Sequence, residues 1–189
     1  MDPFPFSVLI LAGGRSRRMG RDKALLRVGG RRIIDLLIRR YRPLSARVLV
    51  ASGKRCIPDL KGAAQVRDPS WASGPLAGLA AGLAASPTPW ILLVTCDQLP
   101  PPEALLTRLW TSRRGVRAVA PVLGGRILPM PALYHRSLGA SARKADGPSA
   151  LLKAVPCCLL PVRTAPPSWN TPAAFRRAFA SFDPGDAAP

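Results

Sequence analysis

A short apolar run that passes directly into a glycine- and arginine-rich loop is the feature that most constrains this chain. Residues 6–11 have the length and apolar composition of a buried strand, and Gly13 and Gly14 follow at once. The basic residues of the loop are Arg15, Arg17, Arg18, Arg21 and Lys23. Because glycine has no Cβ, successive backbone amides can approach a single anion. The pattern predicts a strand that ends in a loop suited to binding a polyphosphate.

This loop matches neither of the two commonest phosphate-binding motifs. The P-loop requires Gly-x4-Gly-Lys-Ser/Thr, but Lys23 is followed by Ala24, which has no hydroxyl. The dinucleotide fingerprint requires Gly-x-Gly-x-x-Gly, but the glycines fall at 13, 14 and 20. An ordinary basic surface loop is the alternative interpretation. The paired glycines directly after the strand favour phosphate binding.

The charge of the chain indicates an anionic ligand. Its 189 residues are enough for one domain with a substantial core. They include 28 Lys and Arg against 10 Asp and Glu, a net charge of +18, which predicts attraction to nucleotides and phosphorylated cofactors. The basic residues are spread along the chain and aromatic residues make up only 6%, a pattern that does not favour specific nucleic-acid binding.

The cysteines and the apolar runs predict a reducing compartment and no membrane segment. The four cysteines form no Cys-x-x-Cys pair, and the single histidine has no second histidine at metal-ligand spacing, so no zinc site is expected. Adjacent Cys157 and Cys158 cannot bridge each other without strain. The longest apolar run, residues 90–96, is too short to span a bilayer, and no leader precedes the first strand. We expect a cytoplasmic protein.

Strand-like runs alternate with helical runs, which predicts parallel βαβ construction. The predicted strands are 6–11, 47–51, 64–67, 90–95, 116–122, 132–134 and 158–162. The predicted helices are 33–41, 76–85, 103–112, 149–155 and 172–182. The expected fold class is α/β: one three-layer α/β/α sandwich with a Rossmann-like, mostly parallel sheet. This domain covers residues 1–182, and 183–189 form a flexible tail.

Several candidate functional residues follow predicted strands, where open α/β sheets bind ligands. Asp97 follows the strand 90–95 and can serve either as a turn residue or as a Mg²⁺ ligand. The small residues from Gly74 to Gly78 begin a helix, and they permit either tight packing or the approach of a phosphate to the helix N-terminus. Asn170 and Thr171 can cap the last helix.

Four motifs together resemble those of molybdenum cofactor guanylyltransferases, a MobA-like family of nucleotidyltransferases. They are Leu-Ala-Gly-Gly-x-x-x-Arg-Met-Gly-x-Asp-Lys at 11–23, Gly-Pro-Leu-Ala-Gly at 74–78, Cys-Asp at 96–97 and Asn-Thr-Pro at 170–172. The resemblance implies the nucleotide-diphospho-sugar transferase type of fold. It also implies Mg²⁺-dependent transfer of GMP from GTP to the phosphate of (molybdenum-)molybdopterin, with release of pyrophosphate.

The resemblance also implies roles for individual residues. The implied catalytic residues are Arg15, Arg18, Lys23 and Asp97, with Asp97 as the Mg²⁺ ligand. The implied nucleotide-binding residues are Leu11, Ala12, Gly13, Gly14, Lys23, Ser52, Asp68, Gly74, Pro75, Gly78 and Asp97. The implied acceptor-binding residues are Tyr134, Asn170 and Thr171. Ser52 and Ser168 stand where the family usually has asparagine.

Other functions remain open from the sequence. One is cytidylyl transfer to molybdopterin, or nucleotidyl transfer to a different phosphate acceptor. Another is a binding protein without catalytic activity, which would hold polyanions or hand the cofactor to its enzyme. The implied partners are GTP and molybdopterin, with transient contacts to cofactor-biosynthesis proteins or molybdoenzymes. Mg²⁺-dependent binding of one nucleotide would favour the enzyme, because a pure binding protein has no use for a metal ligand.

Overall fold

Strands and helices alternate along most of the chain. A computed structural model describes residues 2–13, 22–69, 74–169 and 171–179. The strands are β1 Phe4–Leu11, β2 Arg27–Val28, β3 Arg31–Arg32, β4 Ser45–Ala51, β5 Ala64–Val66, β6 Trp90–Thr95, β7 Ala118–Leu123, β8 Arg126–Ile127, β9 Ala132–His135 and β10 Cys157–Pro161. The helices are α1 Ile33–Tyr41, α2 Pro75–Ala85, α3 Glu103–Thr111, α4 Gly139–Lys144, α5 Pro148–Lys153 and α6 Pro172–Phe179.

The main sheet has the order β10-β7-β9-β6-β1-β4-β5, and β8 pairs with the last two residues of β7. β1 lies between β4 and β6 and pairs with both in parallel. β5 continues the parallel arrangement beside β4, and β10 pairs in parallel with β7. The predicted mostly parallel α/β fold is therefore confirmed.

The reversed strand β9 departs from purely parallel βαβ construction. It runs antiparallel to both of its neighbours, β6 and β7. Only eight residues separate β7 from β9, and they include the β8 hairpin with its turn at Gly124 and Gly125. A parallel crossover needs a dozen or more residues, so this connection can only return the chain in the opposite direction.

Helices cover both faces of the sheet. On one face, α1 and α3 bury an apolar cluster that includes Ile34 and Leu106, and α6 packs against its edge. On the other face, α2, α4 and α5 pack over a second cluster that includes Leu79 and Leu151. Alternate residues of β1, such as Val8 and Leu9, enter opposite clusters because successive strand side chains point to opposite faces.

Most predicted elements have counterparts in the structure. The helix predicted at 33–41 has the bounds of α1, whereas β7 begins two residues later than predicted. The helix α4 and the two-residue strands β2, β3 and β8 were missed, because elements this short carry too few residues to show a hydrophobic period. The predicted tail, 183–189, lies outside the described residues. In the described part of the chain, no helix has the length and apolar character needed to cross a membrane.

Close packing of α2 on β1 gives the first prediction. A Cβ added to Gly82 would lie 2.3 Å from Cδ2 of Leu9, which is fully buried. We expect Gly82→Ala to lower the free energy of unfolding by about 1–3 kcal/mol through overpacking, measured by urea denaturation. Gly139→Ala is the control, because Gly139 is in the first turn of α4 and a Cβ there meets nothing within 4 Å. A neutral or stabilising Gly82→Ala would contradict the packing argument.

Candidate functional site

A cavity of about 260 Å³ lies where three parallel strands end. The final residues of these strands, Leu11, Ala51 and Thr95, all line it. Leu11 is in register with both Ala51 and Thr95, so the three loops that follow begin at the same level. Nine residues predicted from the sequence line this cavity: Leu11, Ala12, Gly13, Lys23, Asp68, Gly74, Pro75, Gly78 and Asp97.

Two glycines allow the walls of the cavity to approach closely. A Cβ on Gly13 would lie 2.8 Å from the backbone nitrogen of Gly53, so no other residue fits between the loops after β1 and β4. A Cβ on Gly78 would lie 2.8 Å from Leu11 Cδ2 and 3.1 Å from Ala51 Cβ. Gly78 therefore allows the first turn of α2 to pack against the ends of β1 and β4.

The N-terminus of α2 faces the cavity. Gly74 has a φ of +94°, a left-handed conformation that favours glycine, and Pro75 occupies the first turn. Among the described residues, no side chain caps this terminus. Since the first backbone N–H groups of a helix lack partners within the helix, they favour an anion at this wall of the cavity.

An ion pair joins two loops at the cavity floor. Lys23 Nζ donates to Asp97 Oδ2 at 2.8 Å, and the two side chains are only 13% and 27% exposed. Lys23 begins a short 3₁₀ turn in which the carboxylate of Asp22 accepts from the backbone N–H of Ala24. Asp97 follows β6, and its backbone carbonyl accepts from the N–H of Trp169. A partly buried cation and a partly buried carboxylate are thus held together beside the glycine loop.

Asp68 is a second carboxylate of the cavity. Its backbone N–H donates to the carbonyl of Gly53, which places it opposite the glycine loop. Burial raises the pKa of the Asp68 carboxyl above its ordinary value, while a backbone hydrogen bond from Gly74 and the charge of Lys54 act in the opposite direction.

Three predicted site residues do not place their side chains in the cavity. Ser52 is fully buried and its hydroxyl donates to the carbonyl of Arg55, so its side chain is turned away from the cavity. Tyr134 is also fully buried, and its hydroxyl donates to the carbonyl of Pro129, which leaves no surface for an acceptor. Thr171 is exposed and accepts from the N–H of Ala174 as a helix cap. Gly14, Arg15, Arg18 and Asn170 lie outside the described residues.

The structure adds residues that were not among the predicted site residues. Arg55, four residues after the predicted strand 47–51, donates to the Asp22 carboxylate and to the carbonyl of Ala12. Thr95 and Met130 line the cavity, and Thr95 Oγ1 is buried without a hydrogen-bond partner among the described residues. A basic residue soon after a strand was the only signal for Arg55, and in a chain so rich in arginine that signal is weak.

Comparison with known proteins agrees with these motifs. Residues 8–155 match the family described as the MobA-like NTP transferase domain. The chain belongs to this family. Molybdenum cofactor guanylyltransferase from Serratia proteamaculans is 37% identical to it over 134 residues, which cover 69% of this chain and 68% of the relative.

Two solved structures share the fold of this MobA-like domain. The molybdopterin-guanine dinucleotide biosynthesis protein A of Archaeoglobus fulgidus aligns with a TM-score of 0.74 at 20% identity, covering 92% of this chain and 96% of that one. The 2-C-methyl-D-erythritol 4-phosphate cytidylyltransferase of Thermus thermophilus aligns with a TM-score of 0.72 at 23% identity, covering 94% and 98%. At these identities the likeness establishes the fold.

Asp68 gives a pH-dependent prediction for the MobA-like domain. Since its pKa is raised in the folded state, the folded protein binds a proton more readily than the unfolded chain, and stability falls as pH rises above the ordinary value of 3.8. We expect Asp68→Asn to melt at or above the wild-type temperature at pH 7, with the difference shrinking toward pH 4. Melting curves of both proteins at the two pH values test this. A variant less stable than wild type at pH 7 would contradict it.

Cys96 gives a prediction about the chemistry of the cavity. Burial, with the nearby negative charges of Asp97 and Asp22, raises the pKa of the Cys96 thiol to about 12. At pH 8 the thiolate that attacks electrophiles is therefore scarce. We expect iodoacetamide to label exposed Cys56 and to leave Cys96 intact, as read by peptide mass spectrometry. Labelling in urea is the control, and equal rates at the two cysteines in the folded protein would overturn the expectation.

Proposed function

We propose that this protein transfers GMP from GTP to the terminal phosphate of molybdopterin, or of its molybdenum form, and releases pyrophosphate. The observation that carries the proposal is the Lys23–Asp97 pair at a glycine-walled cavity where three parallel strands end. The relative from Serratia, named molybdenum cofactor guanylyltransferase, supports the choice of base and acceptor.

The proposed reaction needs no nucleophile from the protein. A phosphate monoester has a second pKa near 6, so the acceptor is already mostly a dianion at neutral pH. Its oxygen forms a bond to the α-phosphorus of GTP, and the bond from that phosphorus to the bridging β-phosphate oxygen breaks. Cys96 lines the cavity and could in principle act as a nucleophile, but burial raises the pKa of its thiol to about 12. The thiol is therefore protonated at neutral pH, which fits a direct displacement. The obstacle is repulsion between two polyanions.

Lys23 and the backbone around the cavity glycines are proposed to reduce that repulsion. In the proposed complex the ammonium of Lys23 faces the triphosphate, and the backbone groups around Gly13 and Gly74 allow phosphate oxygens to approach. Arg15 and Arg18 are proposed to stabilise the charge of the departing pyrophosphate. Asp68, across the cavity from Gly13, is proposed to contact the nucleoside.

The residues present fit a Mg²⁺ ion that is bound together with the nucleotide. Mg²⁺ takes one or two protein carboxylates, keeps several waters and completes its shell with phosphate oxygens. Among the described residues no cluster of three or more His, Cys, Asp or Glu could form a complete protein cage. Asp97 offers one carboxylate at the cavity, already paired with a cation. When bound, Mg²⁺ would neutralise phosphate charge, and Asp97 would hold it.

The acceptor is proposed to bind beside Asp97. The chain at 167–169 is attached to the loop after β6, because Leu99 donates to the carbonyl of Pro167 and Trp169 donates to that of Asp97, both at 2.9 Å. Asn170 and Thr171 follow immediately. This attachment supports their proposed contact with the acceptor phosphate.

Cytidylyl transfer is the second candidate function. The Thermus cytidylyltransferase shares the fold, so the fold does not select the base. Ser52, which stands where the family usually has asparagine, is buried under its own hydrogen bonds. The position at which the family often has a nucleotide-contacting asparagine therefore offers no side chain to the cavity.

Nucleotide-induced stabilisation tests both candidates. We expect GTP with Mg²⁺, but not CTP, ATP or UTP, to raise the melting temperature at moderate salt. At a hundred times Kd the stabilisation is about 2.7 kcal/mol, which corresponds to about 5–10 °C for a chain of this size. Asp97→Asn should abolish the shift. Asp2→Asn, which removes the same charge just before the amino end of β1, the end opposite the cavity, should retain it.

The outcomes separate the functions. Release of pyrophosphate from GTP only when molybdopterin is added would establish the full reaction. A shift with CTP alone would replace guanylyl with cytidylyl transfer. Equal, metal-independent shifts with all four nucleotides would indicate bulk electrostatic attraction by a protein of charge +18. That result would contradict the proposed enzymatic function.

A further inference from the structure

A single guanidinium connects the two ends of the glycine- and arginine-rich loop. Arg55 Nη2 donates to the backbone carbonyl of Ala12, just before that loop. Arg55 Nη1 donates to the carboxylate of Asp22, near the end of that loop. Ala12 and Asp22 are ten positions apart in the sequence, yet one planar group contacts both. The fork of a guanidinium suits this task, because its donors point in fixed directions toward two separate acceptors.

The backbone of Arg55 is itself held by a partly buried polar network. Its carbonyl accepts from Ser52 Oγ and from Gln65 Nε2, each at 2.7 Å. Gln65 lies on β5, and its side-chain oxygen accepts from the N–H of Ile57 at 3.2 Å. Fully buried Ser52, directly after β4, and Gln65 on β5 thus attach the short loop after β4 to the sheet. The position of the Arg55 backbone is therefore set by the core.

Asp22 connects Arg55 to the turn that carries Lys23 to the cavity. While one carboxylate oxygen contacts Arg55, the other accepts from the N–H of Ala24 at 3.1 Å. This second bond begins the 3₁₀ turn Lys23–Leu25, whose first residue extends to Asp97. The Asp22 side chain is only 18% exposed and that of Arg55 is 41% exposed, so the pair is partly shielded from solvent.

We infer that Arg55 is a positioning residue that fixes Ala12 and Asp22 and thereby sets the place of Lys23 at the cavity. The inference rests on the proposed function only for the identity of the ligand, since the contacts of Arg55 are all within the chain. Arg55 acts through Asp22 and need not touch the nucleotide. It also gives Ser52 and Gln65 a role, as supports for Arg55.

Local hydrogen exchange tests the positioning role without any ligand. In Arg55→Gln we expect the amides of Ala24, Leu25 and Leu26 to exchange about tenfold faster, because Asp22 loses the partner that orients it. Exchange in the core of β1 and β6 should not change. Arg47→Gln is the matched control, since it removes the same charge from an exposed position near the start of β4. A uniform increase throughout the sheet, or no increase at 24–26, would overturn the inference.

Nucleotide affinity and a double-mutant cycle give a second readout. We expect Arg55→Gln to raise the Kd for GTP with Mg²⁺ about tenfold, and Arg55→Lys to give an intermediate Kd, because one ammonium restores the charge but not the fork. In an Asp22→Asn background, removing Arg55 should change Kd less than twofold, since the two residues act as one unit. Effects that multiply in the double variant would show independent roles and overturn the inference.

Failure of this inference can be distinguished from failure of the proposed function. If wild type binds no nucleotide but Arg55→Gln still speeds amide exchange at residues 24–26, the positioning role is supported and guanylyl transfer is rejected. If wild type binds GTP with Mg²⁺ and Arg55→Gln changes neither exchange nor Kd, the proposed function stands and the positioning role is rejected.

Discussion

Parallel pairing of β1 with β4 and β6 is the constraint on which the rest of the site depends. The register places Leu11 level with Ala51 and Thr95, so that three loops leave the sheet side by side. Two backbone bonds continue the pairing beyond the strands, from Ala12 N–H to the Ala51 carbonyl and from Cys96 N–H to the Leu11 carbonyl. A shift of one residue would turn the strand faces over and separate Lys23 from Asp97.

The charges of the cavity are balanced in pairs before any ligand arrives. Lys23 neutralises Asp97, and Arg55 neutralises Asp22. Each of these partly buried carboxylates therefore has a cation that offsets the free-energy cost of its desolvation. Among the described residues Asp68 forms no ion pair, and burial raises the pKa of its carboxyl. In the proposed complex a bound phosphate would compete with Asp97 for Lys23, and this would release the carboxylate that is proposed to hold the metal.

The least predictable part of the site was which side chains enter the cavity. Tyr134 and Ser52 stand next to segments that do reach the cavity, but strand alternation and local hydrogen bonds turn both side chains into the interior. Conversely, Arg55 had no motif to mark it, because its partners Ala12 and Asp22 come together only in the folded chain. The reversal of β9 was likewise missed, since connection length decides strand direction and that length could not be measured before β8 was recognised.

The sequence by itself determined the α/β class, the family and the position of the cavity. Apolar runs of five or six residues, glycines directly after a strand and Asp97 at the end of another are local patterns, and local patterns can be read along the chain. Only the tertiary structure decided which of those residues meet. The Lys23–Asp97 pair spans 74 positions and the Arg55–Asp22 pair spans 33. Contacts at such separations depend on strand order and register, and packing of the whole core selects these.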